Sequence, residues 1–187
     1  MVVVLVRHGE TEWSRTGRHT GRTDVALTPH GRVEAERVGS VLVGREFALV
    51  LTSPALRSLE TVQLAGFGAV AQERPDLREW DYGDYEGRTT AEIRAERPGW
   101  NLWDDGVPGG ESVEEVGERA DRIVAEVRAV PGDAAVFAHG HFLRVFGARW
   151  LGLEPGAGKL LALDPATVSV LGYEHEWPVV RRWNETC

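Results

Sequence analysis

The sequence predicts an α/β fold, a three-layer α/β/α sandwich around a mainly parallel central sheet. Three observations carry that expectation. Apolar runs of strand length recur at Val2–Val6, Ala48–Thr52 and Ala134–Ala138. Amphipathic helical patterns separate them. Each run also breaks abruptly into polar residues, as buried strands do where they reach the edge of a sheet.

Taken in order, the first strand runs into a Gly- and Thr-rich loop that reaches Leu27. Thr28-Pro29 then supplies an N-cap and a first-turn proline, and Val38, Val41 and Leu42 continue a helical face toward Gly44. After the strand at Ala48–Thr52, Ser53-Pro54 repeats the start signal for a helix whose buried side carries Leu56, Leu59 and Val62. A short third strand is expected at 68–71. From Glu79 to Gly110 glycines alternate with Trp80, Tyr82, Tyr85, Trp100 and Trp103. This stretch reads as an irregular insertion, either a substrate lid or an aromatic-stapled surface excursion. Thr89 with Glu92 can form a capping box for one short helix within it.

Ser112 with Glu115 forms another box. The face Val113, Val116, Ala120, Ile123, Val124 and Val127 then makes a long amphipathic helix. Pro131-Gly132 ends it, the strand at Ala134–Ala138 follows, and Leu143, Phe146 and Trp150 mark one face of the next helix. Val168–Tyr173 and Val179–Trp183 read as a terminal strand pair joined around Pro178. No repeat, linker or low-complexity tract interrupts the chain. Residues 1–187 are therefore expected to form a single domain, with the insertion or lid around 79–110.

Composition excludes several function classes. The net charge of −8 argues against general binding to nucleic acid or to an anionic membrane. No apolar run approaches the length of a membrane span, and the N-terminal one is too short for a signal-peptide core. Cys187 is the only cysteine, which leaves neither a disulfide framework nor a thiolate metal cluster. The cytoplasm is the default compartment, and a homodimer is compatible with everything above. Within this acidic chain, Arg7, Arg15, Arg18, Arg22 and Arg32 face only Glu10, Glu12 and Asp24 over the first 32 residues. That local excess suggests a focused anion site, and the guanidinium fork suits phosphate.

The chemistry-bearing residues fall at matching positions. Arg7-His8 follows the first strand, and Arg57 lies in the first turn of the helix after the second. Glu79 opens the insertion, and His139-Gly140-His141 follows the strand at Ala134–Ala138. If these strands are parallel neighbours, their carboxyl ends bring the groups to one rim, where ligands of open α/β sheets bind. Two arginines and two histidines at helix N-termini make a site for a phosphate dianion.

These stretches resemble the histidine phosphatase superfamily, in the branch that includes cofactor-dependent phosphoglycerate mutases. Arg7-His8-Gly9-Glu10-Thr11 matches its signature, and Ser53-Pro54-Ala55-Leu56-Arg57-Ser58-Leu59-Glu60-Thr61 its second motif. The run from Glu79 to Gly87 resembles its acid-bearing loop and His139-Gly140 its last motif. Thr20-Gly21 with Asp24, and Gly109-Gly110-Glu111-Ser112, also have counterparts. The loop from Glu79 to Gly87, Trp100-Asn101-Leu102-Trp103 and Ala138-His139-Gly140-His141 look most like broad-specificity sugar-phosphate phosphatases, sedoheptulose-bisphosphatase-like enzymes among them.

The resemblance implies a metal-independent phosphatase that hydrolyses small phosphorylated metabolites through a phosphohistidine, with no cofactor. His8 would be the nucleophile. Arg7, Arg57 and His139 would hold the equatorial phosphoryl oxygens, and Glu79 would protonate the leaving oxygen and then deprotonate water. Substrate contacts would come from Ser14, Thr20, Gly21 and Gly140. Ser14 stands where the family often has Asn, a longer donor. Asp81 and Glu86 are neighbouring carboxylates that could replace Glu79. His141 is expected at the pocket wall, Glu111 as a charge at a helix start, and His19, His30 and His175 as surface or structural residues. No metal ligand set is implied. Two alternatives stand beside this: a phosphoglycerate mutase working through the same intermediate, and a phospholigand-binding module without turnover.

Overall fold

A computed structural model describes residues 1–187. Its centre is a six-stranded sheet in the order β3-β2-β4-β1-β5-β6, with β1 at Val3–Arg7, β2 at Leu49–Thr52, β3 at Ala71–Glu73, β4 at Ala134–Ala138, β5 at Thr167–Glu174 and β6 at Trp177–Thr186. β3, β2, β4 and β1 run parallel; β5 and β6 continue the sheet antiparallel. The register sets Val4 opposite Ala135 and Val50 opposite Ala135, so β4 is paired on both sides.

Alternation along the strands creates the three layers. Val3, Leu5, Leu49, Leu51, Ala134 and Val136 point to one face, where they pack with Val116, Ile123, Phe142 and Phe146. These last belong to the helices α6 (Val113–Ala129) and α7 (Gly140–Trp150). Val4, Val6, Val50, Ala135 and Phe137 point to the other face, against Val38 and Leu42 of α2 (Pro29–Leu42) and Val62 of α3 (Leu56–Leu64). The short helices α1 (Glu12–Arg15), α4 (Thr90–Glu96) and α5 (Leu102–Asp105) complete the set. No helix is long and apolar enough to cross a membrane.

The connections place the site. The chain leaves β1 toward the face covered by α2 and leaves the neighbouring β4 toward the face covered by α7. Adjacent parallel strands whose exits part in this way open a crevice at their carboxyl ends. Arg7 and Ala138, paired in register, stand at its rim.

Local chemistry explains most element boundaries. Thr28 caps α2 by accepting the Gly31 amide, with Pro29 in the first turn. The capping boxes Thr89/Glu92 and Ser112/Glu115 are both formed. Four expectations are corrected. The third strand lies at Ala71–Glu73, because residues 68–70 are taken up by the turn after α3 and an edge strand needs no apolar run. The helix after β2 begins at Leu56 with Ala55 as N-cap. Asp24 accepts the Leu56 amide at 3.0 Å, and Ser53 is left for another task. The terminal pair turns at His175-Glu176; Pro178 sits inside β6, tolerated because β6 is an edge.

The fourth concerns the segment 79–110. It is no surface excursion: Trp80, Tyr82, Tyr85, Ile93, Trp100 and Leu102 are buried in the same apolar cluster as Val3 and Leu5. The Trp80 indole donates to the Glu111 carbonyl at 2.8 Å and that of Trp100 to the Gly106 carbonyl at 2.9 Å, so each polar handle is satisfied.

Candidate active site

His8 is the first residue past β1, and its amide extends the ladder to the Ala138 carbonyl at 3.0 Å. The next residue must be glycine, since a Cβ on Gly9 would stand 2.3 Å from the Gly31 carbonyl oxygen. The imidazole Nδ1 lies 2.8 Å from the Gly9 carbonyl. A carbonyl only accepts, so Nδ1 carries the proton and Nε2 keeps its lone pair. Burial, then the charges of Arg57 and Arg7, hold the ring well below the ordinary value of 6.5. His8 is therefore a neutral imidazole at neutral pH.

Arg7 lies against it. One terminal nitrogen donates to the Leu163 carbonyl. Its Nε is buried and has no partner in the protein. A buried donor left unpaired costs about 1–3 kcal/mol, a cost that an arriving oxyanion removes. A side chain on Gly140 would press on this guanidinium, because a Cβ there would lie 3.2 Å from the Arg7 Cζ.

Glu79, the first residue of the 79–110 segment, enters the same cleft. Oε1 accepts the amides of Trp80 at 2.9 Å and Phe142 at 2.8 Å, and Oε2 accepts that of His141 at 2.9 Å. A carboxylate offers about four lone-pair positions. Three are filled by backbone amides, which leaves one, on Oε2, open to a further partner.

Arg57 and His139 lie beneath His8, fully buried, and do not form the cleft wall. Arg57 Nε donates to His139 Nδ1 at 3.2 Å, and its terminal nitrogens donate to the carbonyls of Thr20, Gly21 and Thr23 at 3.0–3.1 Å. The His8 and His139 rings meet edge to face, with centroids 5.2 Å apart. Arg57 thus acts on His8 through its charge, and its hydrogen bonds hold the 20–23 loop. Both groups were expected to hold phosphoryl oxygens; in this structure four of the five Arg57 N–H donors are committed within the protein.

The wall combines residues the sequence pointed to, His141 among them, with others that carried no signal or the wrong one. His19, expected as surface or structural, is buried and lines the cleft; its Nδ1 donates to the Arg88 carbonyl at 2.7 Å. Tyr82 is held well above 10, by burial first and then by Glu79, so the phenol keeps its proton, and its oxygen is hydrogen-bonded with His141 Nδ1 at 2.6 Å. His141 is itself pushed well below 6.5, by burial first and then by Arg144, so its ring is neutral. Arg18 and Arg144 add two cations. Arg144 has no carboxylate partner; it is held by the Gly158 and Lys159 carbonyls and stacks 4.7 Å from the Trp103 ring centroid. Its spacing after His139, five residues along α7, was the signal available in the sequence.

Other assignments resolve by position. Ser14 lines the cleft, but its hydroxyl is spent in the capping box with Thr11, whose amide it accepts at 2.9 Å and whose carbonyl it bonds at 3.0 Å. Thr20 lines the cleft. Gly21 does not, and its amide goes to Glu86 at 2.9 Å. Gly140 lines it beneath Arg7. Glu86 clamps the Gly21 and Thr23 amides, and Asp81 pairs with Arg22 at 2.7 Å, so neither replaces Glu79 in the cleft. Glu111 accepts the Asp81 amide and pairs with Arg119 at 2.7 Å, a bracing role in place of the expected helix-start charge. The early arginine excess is mostly neutralised locally: Arg15 pairs with Glu12, Arg22 with Asp81 and Arg32 with Glu60. Trp100 and Trp103 pack inward and do not face the cleft. No group of three or more His, Cys, Asp or Glu side chains is placed to hold a metal ion.

Comparison with known proteins identifies the family. Residues 3–186 match the histidine phosphatase superfamily (branch 1). An acid phosphatase of Mycobacterium tuberculosis is 44% identical over 177 residues, covering 92% of this chain and 87% of that protein. The sedoheptulose 1,7-bisphosphatase of Saccharomyces cerevisiae is 40% identical over 183 residues, covering 80% of this chain and 67% of that protein. A solved structure of a Mycobacterium tuberculosis open-reading-frame product superposes with a TM-score of 0.94 at 41% identity, over 99% of this chain and 97% of that one. The chain belongs to branch 1 of the histidine phosphatase superfamily and is a phosphoric monoester hydrolase.

Proposed function

We propose that the protein hydrolyses small, polar phosphorylated metabolites, sugar phosphates or close relatives, by two displacements at phosphorus through a phosphohistidine on His8, without a metal ion. The observation that carries this is the His8 tautomer. Nδ1 is tied to the Gly9 carbonyl, so the nucleophilic lone pair is on Nε2, in a cleft shared with Arg7 and Glu79. In the first step Nε2 bonds to phosphorus and the P–O bond to the substrate breaks, with the proton on Glu79 passing to the departing oxygen. In the second, water attacks phosphorus as the P–N bond breaks; Glu79 takes the water's proton, and His8 and Glu79 return to their starting states. Arg7, with its unpaired Nε, meets the charge spread over the phosphoryl oxygens, and Arg57 adds its charge from below.

The polar character of the cleft supports the substrate class. Arg18, Thr90 and Arg144 offer donors for hydroxyls and negative groups, the polar atoms of Thr20, Tyr82 and His141 lie beside them, and Leu163 is an isolated apolar contact among them. The same reading treats residues 1–187 as one domain, with segment 79–110 as a built-in wall of the site. The test is phosphate release across sugar phosphates, phosphoglycerates, nucleotides and phosphopeptides, with chelator present, for wild type and His8→Ala. Release by the wild type that survives the chelator and vanishes in the variant is expected. Release retained by His8→Ala would refute the nucleophile. Return of phosphate to phosphoglycerate in place of water would make the enzyme a mutase, and binding without any release a phospholigand module.

A further inference from the structure

We propose that Ser53 is a positioning residue for His139: its hydroxyl oxygen takes the Nε2 proton of that imidazole and, with Arg57 on the opposite nitrogen, locks the ring as one neutral tautomer. The placement follows from the sheet. Ser53 is the first residue past β2 and His139 the first past β4, neighbouring parallel strands, and the Ser53 amide donates to the Phe137 carbonyl at 3.0 Å. The two side chains therefore leave adjacent strand ends and meet, with Ser53 Oγ 2.7 Å from His139 Nε2.

The proton positions are fixed by elimination. Arg57 Nε has one hydrogen and cannot accept, so at 3.2 Å it donates to His139 Nδ1, which must carry a lone pair. A neutral imidazole with a bare Nδ1 has its proton on Nε2, and that proton points at Ser53 Oγ. The serine oxygen also accepts the Ala55 amide at 3.2 Å, which anchors it in the turn before α3. Ser53, Arg57 and His139 are all fully buried, so no solvent competes for these bonds. The second-motif serine, which its position marks as a helix cap, instead joins the two sides of the crevice.

A locked ring matters because His139 packs against His8 edge to face at 5.2 Å. Its orientation defines one side of the space in which the nucleophile moves toward phosphorus, and its neutrality leaves the cation set beside His8 to Arg7 and Arg57. The importance of this for turnover rests on reading the cleft as the phosphatase site; the tautomer itself does not.

Long-range nitrogen NMR of the imidazoles in the resting full chain reads the tautomer directly. His139 in the wild type is expected to show Nε2–H with bare Nδ1 at pH 7. In Ser53→Ala the ring is expected to lose that single pattern, with kcat down about 10-fold or more and KM within about 3-fold, the size typical of groups that orient a histidine through its second nitrogen. A wild-type ring protonated on Nδ1, or on both nitrogens, would overturn the proposal, as would a Ser53→Ala protein whose His139 signals match the wild type. Because the wild-type spectrum needs neither the variant nor turnover, a failed nucleophile test and a failed tautomer test are separately visible.

Discussion

The floor and the wall of the cleft are built on different principles. Floor residues stand one or a few positions past the ends of parallel strands, and their polar atoms are tied down: His8 to Gly9, His139 to Ser53 and Arg57, Arg57 to three loop carbonyls. Wall residues come from the 14–20 loop, the 79–90 segment and one side of α7, and they include cations with free donors, as Arg144 has. A tied floor keeps the reacting geometry fixed before substrate arrives. A wall with spare donors can meet many leaving groups. The difference predicts that floor changes fall on kcat and wall changes on KM.

Glu79 lies at the seam and offers the largest effect that sharpens this division. Glu79→Gln replaces an oxygen that accepts backbone amides with an NH2 that cannot, and it removes the proton carrier. Loss of positioned acid–base help typically costs about 10²–10⁴ in rate. With an aryl phosphate whose phenolate leaves unprotonated, the first displacement should survive better than the second. A burst of phenol with accumulated phosphohistidine is then expected by rapid quench. A uniform loss with no burst would move the leaving-group proton to another residue.

The same contrast explains what the sequence made legible. Strand alternation gave three layers because successive residues of Val3–Val6 and Ala134–Phe137 must face opposite sides, and the polar breaks after those strands located the floor. His8, Arg7, Arg57, Glu79 and His139 all stand out in the sequence, because each follows a strand end or carries a family motif, and the fold gathers them around one crevice; which of them faces the cleft depends on tertiary contacts that the sequence does not carry. The wall was legible only in part: His141 lines the cleft as its position suggested, whereas His19 is held there by the Arg88 carbonyl, 69 residues away. Ser14 and Ser53 were misread for a related reason. Whether a serine caps a helix or meets a distant side chain depends on which donor is nearer in space, and periodicity carries no such information. The burial of Trp100 likewise followed from a tertiary cluster.

Arg144 tests the wall. It is a half-buried cation with no carboxylate partner, and burial lowers its pKa. A substrate with a second negative group would gain a charge-assisted hydrogen bond there, about 1.5 kcal/mol or more. Arg144→Ala should therefore raise KM for such substrates about tenfold while kcat stays within about threefold. For a substrate with one phosphate and otherwise only hydroxyls, the KM change should be smaller. A collapse of kcat with KM unchanged would place Arg144 on the floor's side of the division.

The remaining effect concerns pH. His8, His139 and His141 are held well below 6.5, mainly by burial, and His19 less strongly. Below 6.5 the unfolded chain binds protons at these positions that the folded protein refuses. Stability then falls as pH drops, by up to about 1.4 kcal/mol per pH unit for each such histidine. Between pH 6.5 and 8 these groups are neutral in both states to a growing degree, and their contribution flattens. The floor pair has Arg57 and Arg7 adding to burial, whereas the Arg88 carbonyl and the Glu79 and Glu86 charges raise His19 back toward its ordinary value. His19 should therefore take up its proton first on acidification. NMR titration from pH 8 downward is expected to show His19 responding while His8 and His139 stay silent, with urea midpoints falling over the same interval. If His8 titrated together with His19, the fixed charges beneath the floor would not be setting its state, and the contrast between floor and wall would fail.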